Sequence, residues 1–325
     1  MEKKTILVVI PVNTKHKELL EEAAPDCQFI YSSIEEVTEK QIQEADVIMG
    51  NVSPEQLKKA EKLQWLQLNS AGADVYGIPG LFKENTIVTT ANGAYGKTVA
   101  EHMFAMLLAM QKKLTLYRDS QSRHSWDDHG TVTSIADATV LVFGMGDIGR
   151  HFAKMAHALG AYVIGVKRTP GNCPEYVDEP HLMKECKKLL PHADVIFSVL
   201  PSTNETRGLF DKEMFRLMKK DAIFLNAGRG DAGCTEDLCE IRDEGRLAGV
   251  ALDVIDPEPL PADHRLWDYP NVFLTPHVSG YYHLPETLDK VVNICVENLR
   301  SFMKGQRLKN QMDFEAGYCT ENKKK

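Results

Sequence analysis

No apolar run in this 325-residue sequence is long enough to cross a bilayer. The longest on a helical pattern, Met103–Met110, falls far short of the ~18 residues a span needs. The amino-terminal apolar stretch, Thr5–Ile10, is too short for a secretory leader, has no cleavage site behind it, and reads as a first strand. A basic excess is missing as well: 38 Lys+Arg minus 46 Asp+Glu leaves a net charge of −8. Phosphate contacts need the opposite balance, which excludes a general nucleic-acid binder. None of the seven cysteines (27, 173, 186, 234, 239, 295, 319) stands at the two-residue spacing of a zinc or redox pair. Free thiols in a reducing cytoplasm are the plain reading. There is no repeat at a 20–50-residue period and no low-complexity block. A composition of 43% hydrophobic and 26% charged residues rules out disorder and fibre, and the length fits roughly two domains.

What is present is an alternation of short β-branched runs with longer helical stretches. Thr5–Ile10, Val47–Gly50, Trp65–Asn69 and Ile87–Thr90 read as strands, followed by a helix from about Lys97 to Tyr117 and a polar stretch, Arg118–Asp137. The rhythm then restarts with strands at Thr139–Gly144, Tyr162–Val166, Asp194–Leu200, Ala222–Gly228, Gly249–Val254 and Val272–Thr275. An amphipathic helix near Pro285–Lys304 precedes a polar tail whose three closing lysines read as a solvated end. Strands apolar throughout and separated by helices signal parallel sheets covered on both faces. The expected class is α/β, with two Rossmann-like doubly wound parallel-sheet domains and a cleft between them. Residues 1–100 plus 285–325 would form a flavodoxin-like substrate domain, and residues 101–284 the dinucleotide-binding domain.

The second domain opens on Thr139-Val-Leu-Val-Phe-Gly144-Met-Gly146-Asp147-Ile148-Gly149, a strand running into Gly-x-Gly-x-x-Gly and then a helix. The first glycine permits the tight turn, the second admits a pyrophosphate to the backbone, and the third lets helix and strand pack closely. The helix N-terminus then faces the phosphates. About 20 residues further on, an NAD site usually carries an acid for the ribose 2′-hydroxyl. Here the second strand ends Val166-Lys167-Arg168-Thr169, with no carboxylate until Glu175. Lys167 and Arg168 would attract a 2′-phosphate, so NADP(H) is the expected cofactor, with NAD(H) as the alternative.

Three later strand ends carry candidate chemistry: Asn226-Ala227-Gly228-Arg229-Gly230, Asp253-Val-Ile-Asp-Pro257-Glu258-Pro259, and Thr275-Pro276-His277-Val-Ser279-Gly280. Strand ends of an open parallel sheet face the ligand crevice. Such a trio suits reduction of a 2-oxo acid. A guanidinium holds the carboxylate and polarises the neighbouring carbonyl. An imidazolium gives up the proton as hydride arrives. A glutamate on the other ring nitrogen fixes the tautomer and favours the charged ring. His124, Asp127, Asp128 and His129 lack a metal-ligand spacing and read as a solvated loop, so no metal is expected. Trp126, in that loop, is open between a substrate cleft and a subunit interface. Met103, Met106 and Met110 form a stripe for core packing or a helix–helix subunit contact.

These residues resemble the D-isomer-specific 2-hydroxyacid dehydrogenase family from about Trp65 to Gly305, most densely between Val140 and Gly280. The resemblance implies a catalytic set of Arg229, Glu258 and His277, with Asp253 contacting the nicotinamide carboxamide. It places Leu200-Pro201, Thr206, Ala227 and Gly280 along the cofactor beside Gly144, Gly146, Asp147, Ile148, Gly149, Lys167 and Arg168. Asn69-Ser-Ala71-Gly72-Ala73-Asp74 is similar to the family's loop that receives the substrate carboxylate on backbone amides, with Arg229 and His277 completing the substrate contacts. Val99-Ala-Glu101-His102 matches the helix opening that crosses into the coenzyme domain. The chain departs from the family after Arg229, where Asp231-Ala-Gly-Cys234-Thr235 replaces an apolar pair followed by an acidic pair. Glu258 argues against the formate dehydrogenase branch, and Ala71, where the phosphite-oxidising branch has lysine, argues against that one. The implied activity is NADP(H)- or NAD(H)-dependent interconversion of a small 2-oxo acid and its D-2-hydroxy acid by a cytoplasmic homodimer, with no nucleic-acid or membrane partner. The rival is a dinucleotide-sensing interaction protein, resembling the corepressors built on this fold.

Overall fold

A computed structural model describes residues 3–314 and the backbone of 318 and 319. The closing lysines and the Cys319 thiol lie outside the described residues. The chain divides into two compact units, Met1–Tyr95 with Tyr282–Lys325, and Gly96–Tyr281.

The first unit runs β1 (Thr5–Val8), α1 (Thr14–Ala23), β2 (Gln28–Tyr31), α2 (Glu39–Glu44), β3 (Val47–Met49), α3 (Pro54–Leu57), β4 (Trp65–Gln67) and β5 (Ile87–Thr89). These five strands form one parallel sheet in the order β2-β1-β3-β4-β5. Alternate side chains of a strand enter opposite faces. Ile6 and Val8 therefore join a core with Leu20, Val291 and Cys295, while Leu7 and Val9 join another with Ile42, Leu57 and Leu66. Full burial of each such side chain is worth about 1.5–3 kcal/mol. The three helices start at Asn13, Thr38 and Ser53, each closing a reciprocal capping box with the residue three positions on.

The second unit continues with α4 (Gly96–Gln111), α5 (Leu114–Ser122), β6 (Thr139–Phe143), α6 (Asp147–Ala158), β7 (Tyr162–Lys167), β8 (Glu179–Leu182), α7 (Cys186–Leu189), β9 (Val195–Ser198), α8 (Lys212–Leu217), β10 (Ile223–Asn226), α9 (Thr235–Asp243), β11 (Gly249–Leu252) and β12 (Val272–Leu274). Its sheet is also parallel, ordered β12-β11-β10-β9-β6-β7-β8. The chain moves outward from β6 to β8, then returns to β9 on the other side of β6. That reversal is a topological switch point, where a crevice opens beyond the strand ends. Met103 and Met106 of α4 are buried, and Met110 reaches Gly249 of β11, so the stripe packs the core of this unit.

Helix α10 (Pro285–Met303) returns to the first unit and packs on α1. A buried polar network ties it to the sheet. Trp65 Nε1–H donates to Thr89 Oγ1 (2.8 Å), Thr89 donates to Gln67 Oε1 (2.8 Å), and Asn298 Nδ2–H donates to the same oxygen (2.9 Å). Among the described residues no helix is long and apolar enough to cross a membrane.

The structure departs from the sequence reading in three places. The helix expected over Lys97–Tyr117 breaks at Lys113, whose φ of 55° is left-handed. Lys112 and Lys113 turn their ammonium groups to the carbonyls of Thr133 and His129, and hold the following loop rather than extending the helix. β2 and β8 were not expected. Both are sheet edges, and β8 contains Pro180, which only an edge strand accommodates readily.

Candidate active site

The glycine turn sits at the switch point. Gly144 takes φ 97°, open to glycine without strain. A Cβ on Gly149 would stand 1.9 Å from Gly144 O, so only glycine lets α6 close on the turn. Gly146, the N-cap of α6, has no heavy atom within 4 Å of where its Cβ would be, and no side chain caps the helix. The first-turn amides face open space at a positive helix end, which fits a dinucleotide pyrophosphate. The Asp147 carboxylate is turned away from that space. Its Oδ2 accepts the N–H of Gly96 at 2.7 Å, and its Oδ1 lies 3.3 Å from His151 Nδ1. Ile148 is half-buried beside Gly149.

At the end of β7, Lys167 donates to the carbonyls of Gly171 and Asn172, and Arg168 is exposed on the same loop. At the end of β9, Leu200 is buried and Thr206 folds its loop inward. The Thr206 hydroxyl donates to Pro201 O (2.5 Å) and accepts the Thr203 N–H (2.9 Å). Ala227 N–H donates to Ser198 O (3.0 Å), joining the ends of β9 and β10.

Asn226, at the last position of β10 and buried, builds the turn that presents Arg229. Its amide oxygen accepts the Gly228 N–H (3.1 Å) and its amide nitrogen donates to Arg229 O (2.9 Å). Arg229 Nη1 donates to Gly228 O at 2.7 Å. A Cβ on Gly230 would stand 2.1 Å from the Ile255 backbone, so the turn lies directly on the segment leading to Glu258. Asp231 anchors the far side, accepting from Ser202 Oγ (2.5 Å) and Arg207 Nε (3.2 Å).

Glu258 follows two residues after β11's extension Asp253–Asp256 and braces itself, its Oε1 accepting the Ile255 N–H at 3.0 Å. Its Oε2 lies 2.9 Å from His277 Nδ1, with both side chains part-exposed. A carboxylate only accepts, so the Nδ1 proton belongs to His277 and Nε2 is left to exchange a proton with a ligand. His277 sits at φ 52°. Asp253 is 2% exposed, and its carboxylate holds the segment on both sides of that histidine. It accepts from Thr275 Oγ1 (2.6 Å), Val278 N–H (3.0 Å), Ser279 N–H (3.1 Å) and Ser279 Oγ. Gly280 follows directly and is half-buried.

In the first unit, the loop Asn69–Asp74 is fixed at its base. Asn69 N–H donates to Asn51 Oδ1 (3.0 Å), Asn69 Nδ2–H to Tyr282 Oη (2.5 Å), and Tyr95 Oη–H to Asn69 O. Burial pushes both phenols above their ordinary range, keeping them neutral. Ser70 Oγ–H donates to Gly72 O at 2.6 Å. Among the described residues the amides of Ala71 and Gly72 have no internal acceptor.

The His124–His129 segment is a largely exposed loop that carries its own hydrogen bonds. Ser120 Oγ lies 2.9 Å from both Asp127 Oδ2 and His129 Nε2, and hydrogen bonds from Ser125 and Ser120 hold the Asp127 carboxyl below its ordinary range. Trp126 projects from it fully exposed. Glu236, Cys239 and His264 bring donor atoms within 4.8 Å of one another. There, however, His264 Nδ1 accepts the Leu266 N–H, so the ring proton sits on Nε2 and points at Glu236 Oε1, 3.2 Å away. Neither ring nitrogen offers a lone pair to an ion. The six cysteines with described side chains are free thiols.

An open dinucleotide turn and a Glu–His pair on neighbouring strand ends of one doubly wound sheet define an NAD(P)-dependent dehydrogenase. A family model for the NAD-binding domain of D-isomer specific 2-hydroxyacid dehydrogenases matches residues 104–279. The chain belongs to that family. It is similar to a family protein of Aeromonas salmonicida, at 35% identity and a TM-score of 0.85, covering 96% of this chain and 100% of that one. It is also similar to the NADPH-dependent glyoxylate/hydroxypyruvate reductase of Sinorhizobium meliloti, solved with NADP and sulfate, at 25% identity and a TM-score of 0.82, covering 97% and 100%. The glyoxylate/hydroxypyruvate reductase B of Pectobacterium carotovorum is 28% identical over 80% of this chain and 82% of its own.

Proposed function

We propose that this enzyme reduces a small 2-oxo acid, such as glyoxylate, hydroxypyruvate or a branched 2-oxo acid, to the D-2-hydroxy acid, with NADP(H) preferred over NAD(H). The observation that carries the reading is the 2.9 Å contact between Glu258 and His277 Nδ1, which leaves Nε2 as the proton-exchanging atom. When bound, the dinucleotide supplies the hydride. His277 donates the proton to the carbonyl oxygen and accepts it in the reverse direction. Glu258 orients the ring and holds its proton on Nδ1. Arg229 holds the substrate carboxylate and polarises the carbonyl, and the amides of Ala71 and Gly72 receive the same carboxylate. Gly144, Gly146, Asp147, Ile148 and Gly149 seat the pyrophosphate, and Leu200, Pro201, Thr206, Ala227, Asp253 and Gly280 line the remaining cofactor. Lys167 and Arg168, with no acid at that strand end, favour a 2′-phosphate. The Sinorhizobium relative's name and bound NADP agree with this preference.

We also infer a cytoplasmic homodimer. Leu114, Tyr117, Trp126 and Val132, exposed within one stretch of the second unit, supply apolar surface for a second copy, and the free thiols suit a reducing compartment. The test is initial-rate oxidation of NADPH and NADH against glyoxylate, hydroxypyruvate, pyruvate and branched 2-oxo acids, with chiral analysis of the product. Turnover with an NADPH bias and a D product supports the reading. Tight dinucleotide binding without turnover on any 2-oxo acid overturns it in favour of a dinucleotide-sensing protein.

A further inference from the structure

Behind the Glu258–His277 pair, two polar residues that meet at Asp253, His102 and Thr275, have no part in the chemistry above. His102 projects from α4 and its Nε2 lies 3.1 Å from Thr275 Oγ1. The Thr275 hydroxyl is itself 2.6 Å from Asp253 Oδ1. A buried carboxylate can only accept, so the single Thr275 proton points at Asp253. The Thr275 oxygen is therefore an acceptor towards His102, and His102 must carry its proton on Nε2. The direction of donation is fixed throughout: His102 to Thr275, Thr275 to Asp253, with Val278 and Ser279 donating to Asp253 from the other side. His277 stands between these two anchor points with its backbone in the left-handed region, a conformation that is strained for a non-glycine residue and needs surrounding contacts to persist.

We propose that His102 and Thr275 are positioning residues that, through Asp253, lock the backbone on which the acid–base histidine is carried. The role asks for a hydroxyl at 275, because an apolar isostere neither accepts from His102 nor donates to Asp253. It asks for a donor at 102 and not for charge there, so glutamine, whose amide nitrogen reaches a similar position, satisfies it. Because both residues act on the same carboxylate, their losses do not add.

The proposal rests on the reading of His277 as the proton donor, and the experiment separates the two. Hydrogen exchange of the Val278 and Ser279 amides, measured by mass spectrometry on the intact protein, needs no turnover. Thr275→Val quickens that exchange about tenfold, the fold-change expected for losing a hydrogen bond to a charged group, and Thr275→Ser restores it to within about twofold. In the NADPH-linked assay Thr275→Val lowers kcat about tenfold while KM for NADPH stays within about twofold, and Thr275→Ser recovers kcat. His102→Leu follows Thr275→Val in both readouts, His102→Gln stays near the parent, and the double variant His102→Leu/Thr275→Val is no worse than Thr275→Val alone. Unchanged exchange in Thr275→Val, failure of serine or glutamine to restore, or additive losses in the double variant overturn the clamp. Absence of turnover in the parent protein overturns the assignment of His277 and leaves the exchange data to decide the clamp.

Discussion

The pair Gly146→Ala and Gly149→Ala separates the two duties of the glycine turn. At position 149 the new Cβ would stand 1.9 Å from Gly144 O, where an ordinary carbon–oxygen contact is about 3.3 Å. The N-terminus of α6 must back away from the turn by more than about 1 Å, and overpacking of this kind costs about 1–3 kcal/mol of stability. The same shift misaligns the first-turn amides. Losing one charge-assisted bond to a phosphate, about 1.5–3 kcal/mol, raises the NADPH dissociation constant roughly tenfold to a hundredfold. At position 146 the new Cβ meets nothing within 4 Å, and φ −78°, ψ −159° is open to alanine. No clash arises there, so stability falls less than in Gly149→Ala, yet the methyl group occupies the approach of the pyrophosphate and affinity still falls at least about tenfold. Urea unfolding of the free protein and a fluorescence titration with NADPH read the two quantities separately. If Gly146→Ala binds NADPH like the parent, or Gly149→Ala keeps both stability and affinity, the placement of the phosphates on α6 is wrong.

Other outcomes follow from the same structure. Lys167→Asp with Arg168→Ala lowers the ratio of kcat/KM for NADPH over NADH by tenfold or more, in line with the loss of one charge-assisted bond of about 1.5–3 kcal/mol. An unchanged ratio removes that strand end from cofactor choice. Asn298→Ala leaves the part-buried Lys309 N–H, now 2.7 Å from Asn298 Oδ1, without its acceptor and takes one donor from the buried Gln67 Oε1, now 2.9 Å from Asn298 Nδ2. Unfolding free energy falls by about 1–3 kcal/mol, read from urea titration. The hydrogen bond to Glu179, with help from Glu185, raises His181 above its ordinary range. A raised value stabilises the folded state below the unfolded ring's ~6.5 and stops doing so as pH rises through the folded value. His181→Asn therefore lowers the thermal midpoint at pH 6 and leaves it unchanged at pH 9.

The strands that carry chemistry were legible because each is a short, largely apolar run that meets glycine, proline or a charged residue within a few positions of its end. Gly144–Gly149, Arg229 and His277 stand just past such ends, and Glu258 follows the Asp253–Asp256 extension of β11. β2 and β8 were not legible: edge strands are half-solvated and carry a mixed pattern, as in Glu179-Pro-His-Leu182. The helix break at Lys113 was hidden because it depends on partners at 129 and 133. Asn226 stood in view at a strand end, but its reciprocal bonds across the Arg229 turn have no residue-pattern signature. His102, Thr275 and Asp253 meet across as many as 173 positions, and no local periodicity reports contacts of that span.

The most direct test of the account is His277→Asn, assayed for 2-oxo acid reduction beside NADPH binding. Asparagine accepts a left-handed backbone better than other non-glycine residues, so the φ of 52° is kept and the fold with it. It has no proton to transfer at the position of Nε2. The expected result is a loss of roughly 10²–10⁴-fold in kcat with an NADPH dissociation constant close to the parent's. Equal loss of turnover and binding, or full turnover, would contradict the assignment of His277 as the acid–base residue.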